Sequence, residues 1–304
     1  MTGAHPAARG LNARAIQPKG QDVMSRLRIP LLVATVIFLT GGPVPRASAA
    51  GKEAKGGHAL PALNALILRQ ISSVPTGGGY DPSNAATARL GEAIALNADG
   101  SLAFRPKAAE PSYCSGATYL VFLKAIQALR ASRKLALPPA AVDCLLIRDQ
   151  PNRPDRLPSE WGPRDGEGVW GRWNANGPGT ARLFYELGLG RNFEDFAQAR
   201  TGDFLKIFWT ADIGRRERGH SVIYLGRAKR DGVEYVRFWS SNQSGGFGTK
   251  VVPRTAIERA VFSRLEFPEA LVKAAALPTV DEYLASLQRV DSSIEELRGK
   301  CGMP

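Results

Sequence analysis

The chain has 304 residues, of which 44% are hydrophobic and 22% are charged, and its formal net charge is +12. This composition is ordinary for a globular protein with a sizeable core, and it excludes a chain that is disordered throughout. The first predicted element is an export signal. Basic residues at 24–28 precede an apolar run at 29–39, and Ala47, Ser48 and Ala49 form a small-residue cleavage site.

The signal predicts a protein exported to the periplasm or to the extracellular space. Its apolar run has about half of the ~20 residues that a membrane-spanning helix needs, so we expect no stable membrane span after cleavage. A buried core helix or an uncleaved anchor is the alternative interpretation. Residues 1–49 hold six basic residues and one acidic residue, so the net charge of the remaining chain is about +7.

A positively charged exported protein favours an anionic partner such as peptidoglycan or other cell-wall material. A solvated surface with spare lysine and arginine explains the same charge. We expect no nucleic-acid partner, because the chain lacks the basic run that is typical of a nucleic-acid patch. No spacing of cysteine and histidine predicts a metal site, and no phosphate or dinucleotide loop predicts a cofactor.

The predicted elements follow in chain order. Helices are predicted at residues 60–71, 85–96, 112–133, 180–187 and 193–199, with Ser112 as the N-cap of the third. Strands are predicted at 203–209, 221–225, 233–239 and 250–252, and an amphipathic helix at 279–298. Because helices come first and a strand meander second, the sequence predicts an α+β fold.

Histidine is scarce, which narrows the search for a catalytic base. After the signal only His58 and His220 remain, and His58 lies in a predicted flexible leader. His220 opens an apolar strand, where an imidazole at the sheet edge can reach a neighbouring element. The sequence therefore indicates His220 as the base, with a surface histidine as the alternative.

Cys114 lies in the first turn of the helix predicted at 112–133. Unpaired backbone N–H groups and the positive end of the helix dipole stabilise a thiolate at such a position. An adjacent imidazolium lowers the pKa of the thiol further and makes the pair a nucleophile and a general base. A buried core cysteine is the alternative interpretation.

The next strand ends in polar residues that could orient the histidine. Asn242 can accept a hydrogen bond from one imidazole nitrogen and fix the tautomer. Ser240 and Gln243 could serve instead, and a plain turn is also consistent with these residues.

The three cysteines Cys114, Cys144 and Cys301 make an odd number, so at least one is outside an intrachain disulfide. With Cys114 as the nucleophile, either a Cys144–Cys301 disulfide or two unbridged thiols remains open.

Residues 149–179 form a long predicted loop rich in proline and glycine. Trp170 and Trp173 could line the mouth of an active-site cleft, together with Trp161 and the nearby Asn174 and Asn176. Alternatively the tryptophans pack down and pin the loop to the domain.

Four motifs in order resemble those of NlpC/P60-type cell-wall peptidases. Residues 113–116 read Tyr-Cys-Ser-Gly, 201–209 contain a Gly-Asp strand, 219–226 form a histidine strand, and 240–243 read Ser-Ser-Asn-Gln. CHAP-type amidases share this order, and the resemblance covers roughly residues 75–265. The chain departs from the family in having Tyr113 where the family usually has aspartate.

The resemblance implies a papain-like fold that hydrolyses amide bonds in peptidoglycan stem peptides, with Cys114 as nucleophile and His220 as base. The family's upstream tyrosine corresponds most closely to Tyr80, which we expect to bind substrate with Trp170 and Trp173. The expected segments are a signal peptide and N-terminal extension at 1–49, a leader and helix at 50–73, a papain-like catalytic domain at 74–270 and a C-terminal amphipathic helix at 271–304.

Other functions stay open at this point. A catalytically inactive papain-like module that binds cell wall or a partner protein has the same motifs. A serine hydrolase is disfavoured because no Gly-x-Ser-x-Gly motif is present. A glycosidase with paired carboxylates has no fixed spacing to look for.

Overall fold

The computed structural model describes residues 62–147 and 168–304. The predicted export signal, His58 and Trp161 lie outside these residues. The described residues all belong to one compact unit. In this part of the chain, no helix has the length and apolar character needed to cross a bilayer.

Eight α-helices and nine β-strands are present among the described residues. The helices are α1 Ala62–Ile71, α2 Asn84–Glu92, α3 Cys114–Ala131, α4 Pro139–Asp143, α5 Gly168–Asn174, α6 Gly179–Leu187, α7 Glu282–Ser286 and α8 Ile294–Lys300. The strands are β1 Gly77–Gly78, β2 Ile94–Leu96, β3 Leu102–Phe104, β4 Gly190–Phe193, β5 Phe204–Phe208, β6 Gly219–Arg230, β7 Val233–Asn242, β8 Gly246–Pro253 and β9 Arg259–Leu265.

Seven of the strands form one antiparallel sheet in the order β1-β8-β7-β6-β5-β9-β4, and β2 and β3 form a separate hairpin. Helix α3 packs against β6 and β7 near the middle of the sheet. The helices therefore precede and cover a strand meander, and the predicted α+β class is confirmed.

Helix α3 is buried on nearly all sides, because it lies between the sheet and the helices α1 and α5. A helix that is apolar around most of its circumference belongs in a protein core. The opposite face of the sheet has its own core, formed by aromatic and aliphatic side chains that include Phe196, Tyr224, Phe238 and Phe262. Both faces of the central strands are thus covered, which fixes the strands that hold the site.

The C-terminal segment differs from the helix predicted at 279–298. It forms two short helices, because the chain between them turns away to bind another loop. Asp291 forms an isolated bridge with Gly214 and accepts hydrogen bonds from the backbone and guanidinium of Arg216. Ser293 then caps a new helix through its side-chain oxygen. The prediction of one continuous amphipathic helix is therefore wrong.

Two other local predictions are also wrong. The residue before helix α3 is Tyr113, and Ser112 does not cap the helix. The backbone carbonyl of Ser112 instead accepts a hydrogen bond from Ser241 Oγ, which draws Ser112 towards the sheet. Residues 193–199 are not a helix, because Phe193 ends strand β4 in pairing with Phe262 of β9.

Trp170 and Trp173 belong to the core, and the prediction that they line a cleft is wrong. The segment predicted as loop is helical from Gly168, so α5 can turn both indoles towards α3. Trp173 stacks on Phe122 with ring centroids 4.8 Å apart, and its Nε1–H donates to Thr118. Only 3% of Trp170 and 1% of Trp173 is exposed to solvent.

The three cysteines form no disulfide, so of the two open alternatives the structure has unbridged Cys144 and Cys301 thiols. The two residues pack in different parts of the core. Cys144 lies against the helix-side cluster, whereas Cys301 packs with Phe208 and Leu297 near the C-terminus.

Replacing Trp173 with alanine should lower the free energy of unfolding by about 3–5 kcal/mol, because it opens a cavity and removes a buried aromatic stack. Chemical denaturation followed by circular dichroism measures the change. Val272→Ala is the control, since Val272 is 51% exposed and its truncation should change stability by less than about 0.5 kcal/mol. Equal stability of the two variants would contradict the core assignment.

Candidate active site

Cys114, His220 and Asn242 meet at one edge of the interface between α3 and the sheet. Cys114 is the first residue of α3, His220 is the second residue of β6, and Asn242 is the last residue of β7. Strands β6 and β7 are antiparallel neighbours, and the pairing of Ile223 with Trp239 continues to place His220 opposite Asn242. The sheet register therefore brings the histidine and the amide together.

The amide of Asn242 is held so that its oxygen faces the imidazole. Its Nδ2 donates to the backbone carbonyls of Ser240, at 3.2 Å, and Gly248, at 2.9 Å. Its Oδ1 lies 3.3 Å from His220 Nε2, which leaves Nδ1 as the ring nitrogen available to the thiol. Of the three predicted candidates, Asn242 is the one that contacts the histidine, since Ser240 Oγ donates to Ser221 and Gln243 is exposed.

Cys114 is a half-buried residue, and its thiol lies beside His220. Burial by itself raises the pKa of this thiol. The hydrogen bond and positive charge of His220, the backbone N–H of Ser221 and the charge of Lys206 outweigh burial and bring the pKa to about 7. A substantial fraction of Cys114 is therefore thiolate at neutral pH, as a cysteine nucleophile requires.

The start of helix α3 offers donors beside the thiol. Tyr113 makes no side-chain capping bond, and the first turn contains no acidic residue. The first N–H groups of a helix have no intrahelical acceptor, and they carry the positive end of the helix dipole. They can stabilise the thiolate and later the oxyanion of an acyl intermediate.

Tyr80 reaches the same thiol from a separate loop. Its hydroxyl is hydrogen-bonded to Cys114, and burial, followed by the charge of Cys114, raises the pKa of this phenol well above its ordinary value. The loop is fixed by an isolated parallel bridge between Tyr80 and Ser112. Strand β1, just before it, pairs with the start of β8 through Gly77 and Gly78. The neutral phenol can donate a hydrogen bond to the sulfur.

A cleft of about 490 Å³ opens over these residues. Its lining includes Tyr80, Tyr113, Cys114, Ser115, Asn174, Asn176, Lys206, Glu217, Ser221, Gln243 and Gln288. Most of these side chains are neutral amides and hydroxyls, which suit the hydrogen-bonding groups of a peptide. Asn174 and Asn176 were grouped with the tryptophans of the predicted loop, and they face the cleft although Trp170 and Trp173 do not.

The sequence patterns did not single out Lys206, Glu217 or Gln288. Lys206 Nζ lies 2.6 Å from Glu217 Oε1, a contact made across the loop between β5 and β6. Gln288 comes from the C-terminal segment. In the sequence, the one feature that could have pointed to Lys206 is the presence of a lysine in an otherwise apolar strand. Among the described residues, no group of three or more histidine, cysteine or acidic side chains could hold a metal ion.

Comparison with known proteins identifies no family: no family model matches the chain, and neither a curated protein nor a solved structure matches it. The geometry and electrostatics of the site are therefore the basis for a functional proposal.

Alkylation of Cys114 by iodoacetamide should become half-maximal near pH 7, because its thiol is thiolate above that pH. In His220→Ala the thiol loses the hydrogen bond and the charge that lower its pKa, while burial remains. The pH at which alkylation is half-maximal should therefore rise by at least one unit, and the reaction at pH 7 should be roughly 10-fold slower. Mass spectrometry of the labelled protein measures the rates.

Cys301 is the internal control for this experiment. It is 1% exposed, and burial raises the pKa of its thiol to about 12, so it should stay unlabelled in the folded protein. A Cys114 midpoint that is unchanged by loss of His220 would show that the two groups do not interact.

Gly246→Ala should slow the alkylation of Cys114 by displacing the loop that holds Tyr80. Gly246 has a φ of +81°, and a Cβ there would clash with the Gly77 carbonyl. Gly245→Ala is the matched control, because no atom lies within 4 Å of its Cβ position. Equal alkylation rates in the two variants would show that the loop does not act on the thiol.

Proposed function

We propose that the protein is an exported cysteine hydrolase that cleaves amide bonds, with peptidoglycan stem peptides as its substrate. The observation that supports this most strongly is the chain of contacts from Asn242 to His220 and from His220 to a Cys114 thiol with a pKa of about 7. A nucleophile, a base and a group that orients the base are the parts that covalent catalysis of acyl transfer needs.

In the proposed reaction the Cys114 sulfur attacks the carbonyl carbon of the scissile amide. The developing oxyanion is stabilised by backbone N–H groups at the start of α3. The imidazolium of His220 donates its proton to the leaving amine, and the acyl group remains on sulfur as a thioester. His220 then takes a proton from water, the water attacks the thioester, and the acid product leaves with the thiol restored.

A papain-like arrangement is part of this proposal. The nucleophile begins a buried helix that packs on an antiparallel sheet, and the base and its orienting residue come from two adjacent strands of that sheet. The order along the chain, cysteine, Gly-Asp strand, histidine strand and polar residue, is the order on which the resemblance to NlpC/P60-type peptidases was based. This arrangement of helix and strands supports the papain-like part of the proposal.

The choice of cell-wall peptide is supported by the cleft and by the charge of the chain. The cleft has a volume of about 490 Å³ and is lined mainly by amides and hydroxyls. The predicted export signal and a net charge of about +7 beyond residue 49 favour an anionic wall as the surroundings of the protein.

An inactive module that binds cell wall or a partner protein is the second candidate. The observation that favours it is the position of the buried Tyr80 phenol, which is close enough to the Cys114 thiol for the two groups to interact. In an active enzyme the phenol must yield to the substrate carbonyl.

Cys114→Ala and His220→Ala should each reduce the hydrolysis of purified peptidoglycan by ~10³-fold or more, because members of a catalytic unit act together. Asn242→Ala should cause a smaller loss, since it removes only the orientation of the base. Mass spectrometry of the released muropeptides measures the products. Cys144→Ala is the matched control and should keep its activity.

Two outcomes would contradict the proposal in different ways. Hydrolysis that survives in Cys114→Ala would place the nucleophile elsewhere. Binding of peptidoglycan without any cleavage by the wild type would favour the inactive module.

A further inference from the structure

We propose that Lys206, held by Glu217, is an anion-binding group beside the nucleophile that selects substrates with a carboxylate close to the scissile amide. This inference rests on the proposed function, because it names the class of amide that the site accepts. It adds a specificity-determining residue to the catalytic ones.

Lys206 occupies a position that the strand pattern would give to an apolar residue. Phe204 and Phe208 lie two residues before and after Lys206 in β5, so all three side chains share one face of the strand. Both phenylalanines are buried. Lysine is one of the residues least often buried, and removing its charge from water is costly. Here the side chain is 12% exposed and lines the cleft. A positive charge that is mostly buried and lines the cleft is placed to contact a ligand there.

Glu217 fixes the ammonium group and has little capacity left for a ligand. Its Oε1 accepts from Lys206 at 2.6 Å, and its Oε2 accepts from the backbone N–H groups of Gly177 and Gly214. Its side chain is only 6% exposed. Both oxygens of the Glu217 carboxylate therefore already accept hydrogen bonds. The Lys206 ammonium group has three N–H donors, and the ion pair does not use all of them.

The ion pair lies directly against the backbone that leads into the histidine. A Cβ on Gly219 would fall 2.7 Å from Lys206 Nζ and 2.6 Å from Glu217 Oε1. A side chain at position 219 would therefore displace the ion pair. The charge of Lys206 also acts on Cys114, which shows that the ammonium group and the sulfur share one electrostatic environment.

The loop that carries Glu217 also contains three arginines. Arg215 and Arg218 are exposed, and Arg215 acts electrostatically on Asp291. Arg216 is already paired with Asp291 and Asp212. Lys206 is the cationic side chain in the lining of this cleft, and apart from Glu217 the remaining lining side chains are mainly neutral.

Iodoacetate and iodoacetamide test the subsite independently of hydrolysis. Both reagents transfer a two-carbon group to the Cys114 sulfur with loss of iodide, but only iodoacetate has a carboxylate. Any change in the reactivity of the thiolate affects both rates, so their ratio isolates recognition of the anion. In Lys206→Met the ratio of the iodoacetate rate to the iodoacetamide rate should fall roughly 10-fold, because a charge-assisted hydrogen bond is lost.

Three variants complete the comparison. Lys206→Arg keeps the positive charge, so its ratio of the iodoacetate rate to the iodoacetamide rate should stay close to that of the wild type. Lys229→Met removes an exposed lysine at the far end of β6 and should leave the ratio unchanged. The double variant Lys206→Met and Glu217→Gln avoids an unpaired buried carboxylate. Its rate ratio should fall roughly 10-fold, as expected for Lys206→Met, even if the single variant fails to fold. Thermal unfolding checks that each variant is folded.

A second arm uses stem-peptide fragments whose carboxylates are either free or converted to amides. The wild type should cleave the free form faster, and Lys206→Met should cleave both at similar rates. An unchanged alkylation ratio in folded Lys206→Met would overturn the inference and show a purely structural ion pair. A changed ratio with no cleavage of either fragment would uphold the subsite and reject the hydrolase.

Discussion

The side-chain amide of Asn242 is the constraint on which the site depends. Because its two N–H groups are taken by the carbonyls of Ser240 and Gly248, its oxygen is committed to His220. One carbonyl belongs to β7 and the other to β8, so the orientation of the imidazole depends on the register of both strands with β6. A slip of one residue would turn every side chain to the other face of the sheet. The orientation of the catalytic base therefore depends on the correct pairing of β6, β7 and β8.

The sheet is itself held by a buried ion pair away from the cleft. Asp203 accepts two hydrogen bonds from the guanidinium of Arg264 and a third from the amide of Asn64. These contacts join helix α1, the start of β5 and strand β9. A buried pair of this kind tolerates the loss of one partner poorly, because the remaining charge has no water to solvate it. The contact therefore fixes the strand that leads to Lys206.

Much of the site could be predicted from the sequence because its residues lie at the ends of elements. A cysteine that opens a helix, a histidine that opens a strand and an asparagine that closes one are local signals, and strand neighbours then bring them together. Lys206 and Glu217 could not be found in this way, since their contact depends on how a loop folds back. The tryptophans were misassigned because proline and glycine around them concealed the short helix α5. The C-terminal helix was overextended because apolar periodicity does not reveal that Asp291 binds a distant loop.

The pairing of β1 with β8 has a consequence for the order in which the protein acquires reactivity. Cys114 leaves the ribosome long before Gly246, yet Tyr80 is positioned only when β8 lies beside β1. The groups that act on the sulfur thus come from segments separated by more than half of the described chain, and such contacts form late because long loops must close first. Because the thiol pKa is lowered by His220, Ser221 and Lys206, Cys114 remains an ordinary, weakly nucleophilic thiol until β5 and β6 have been made and paired.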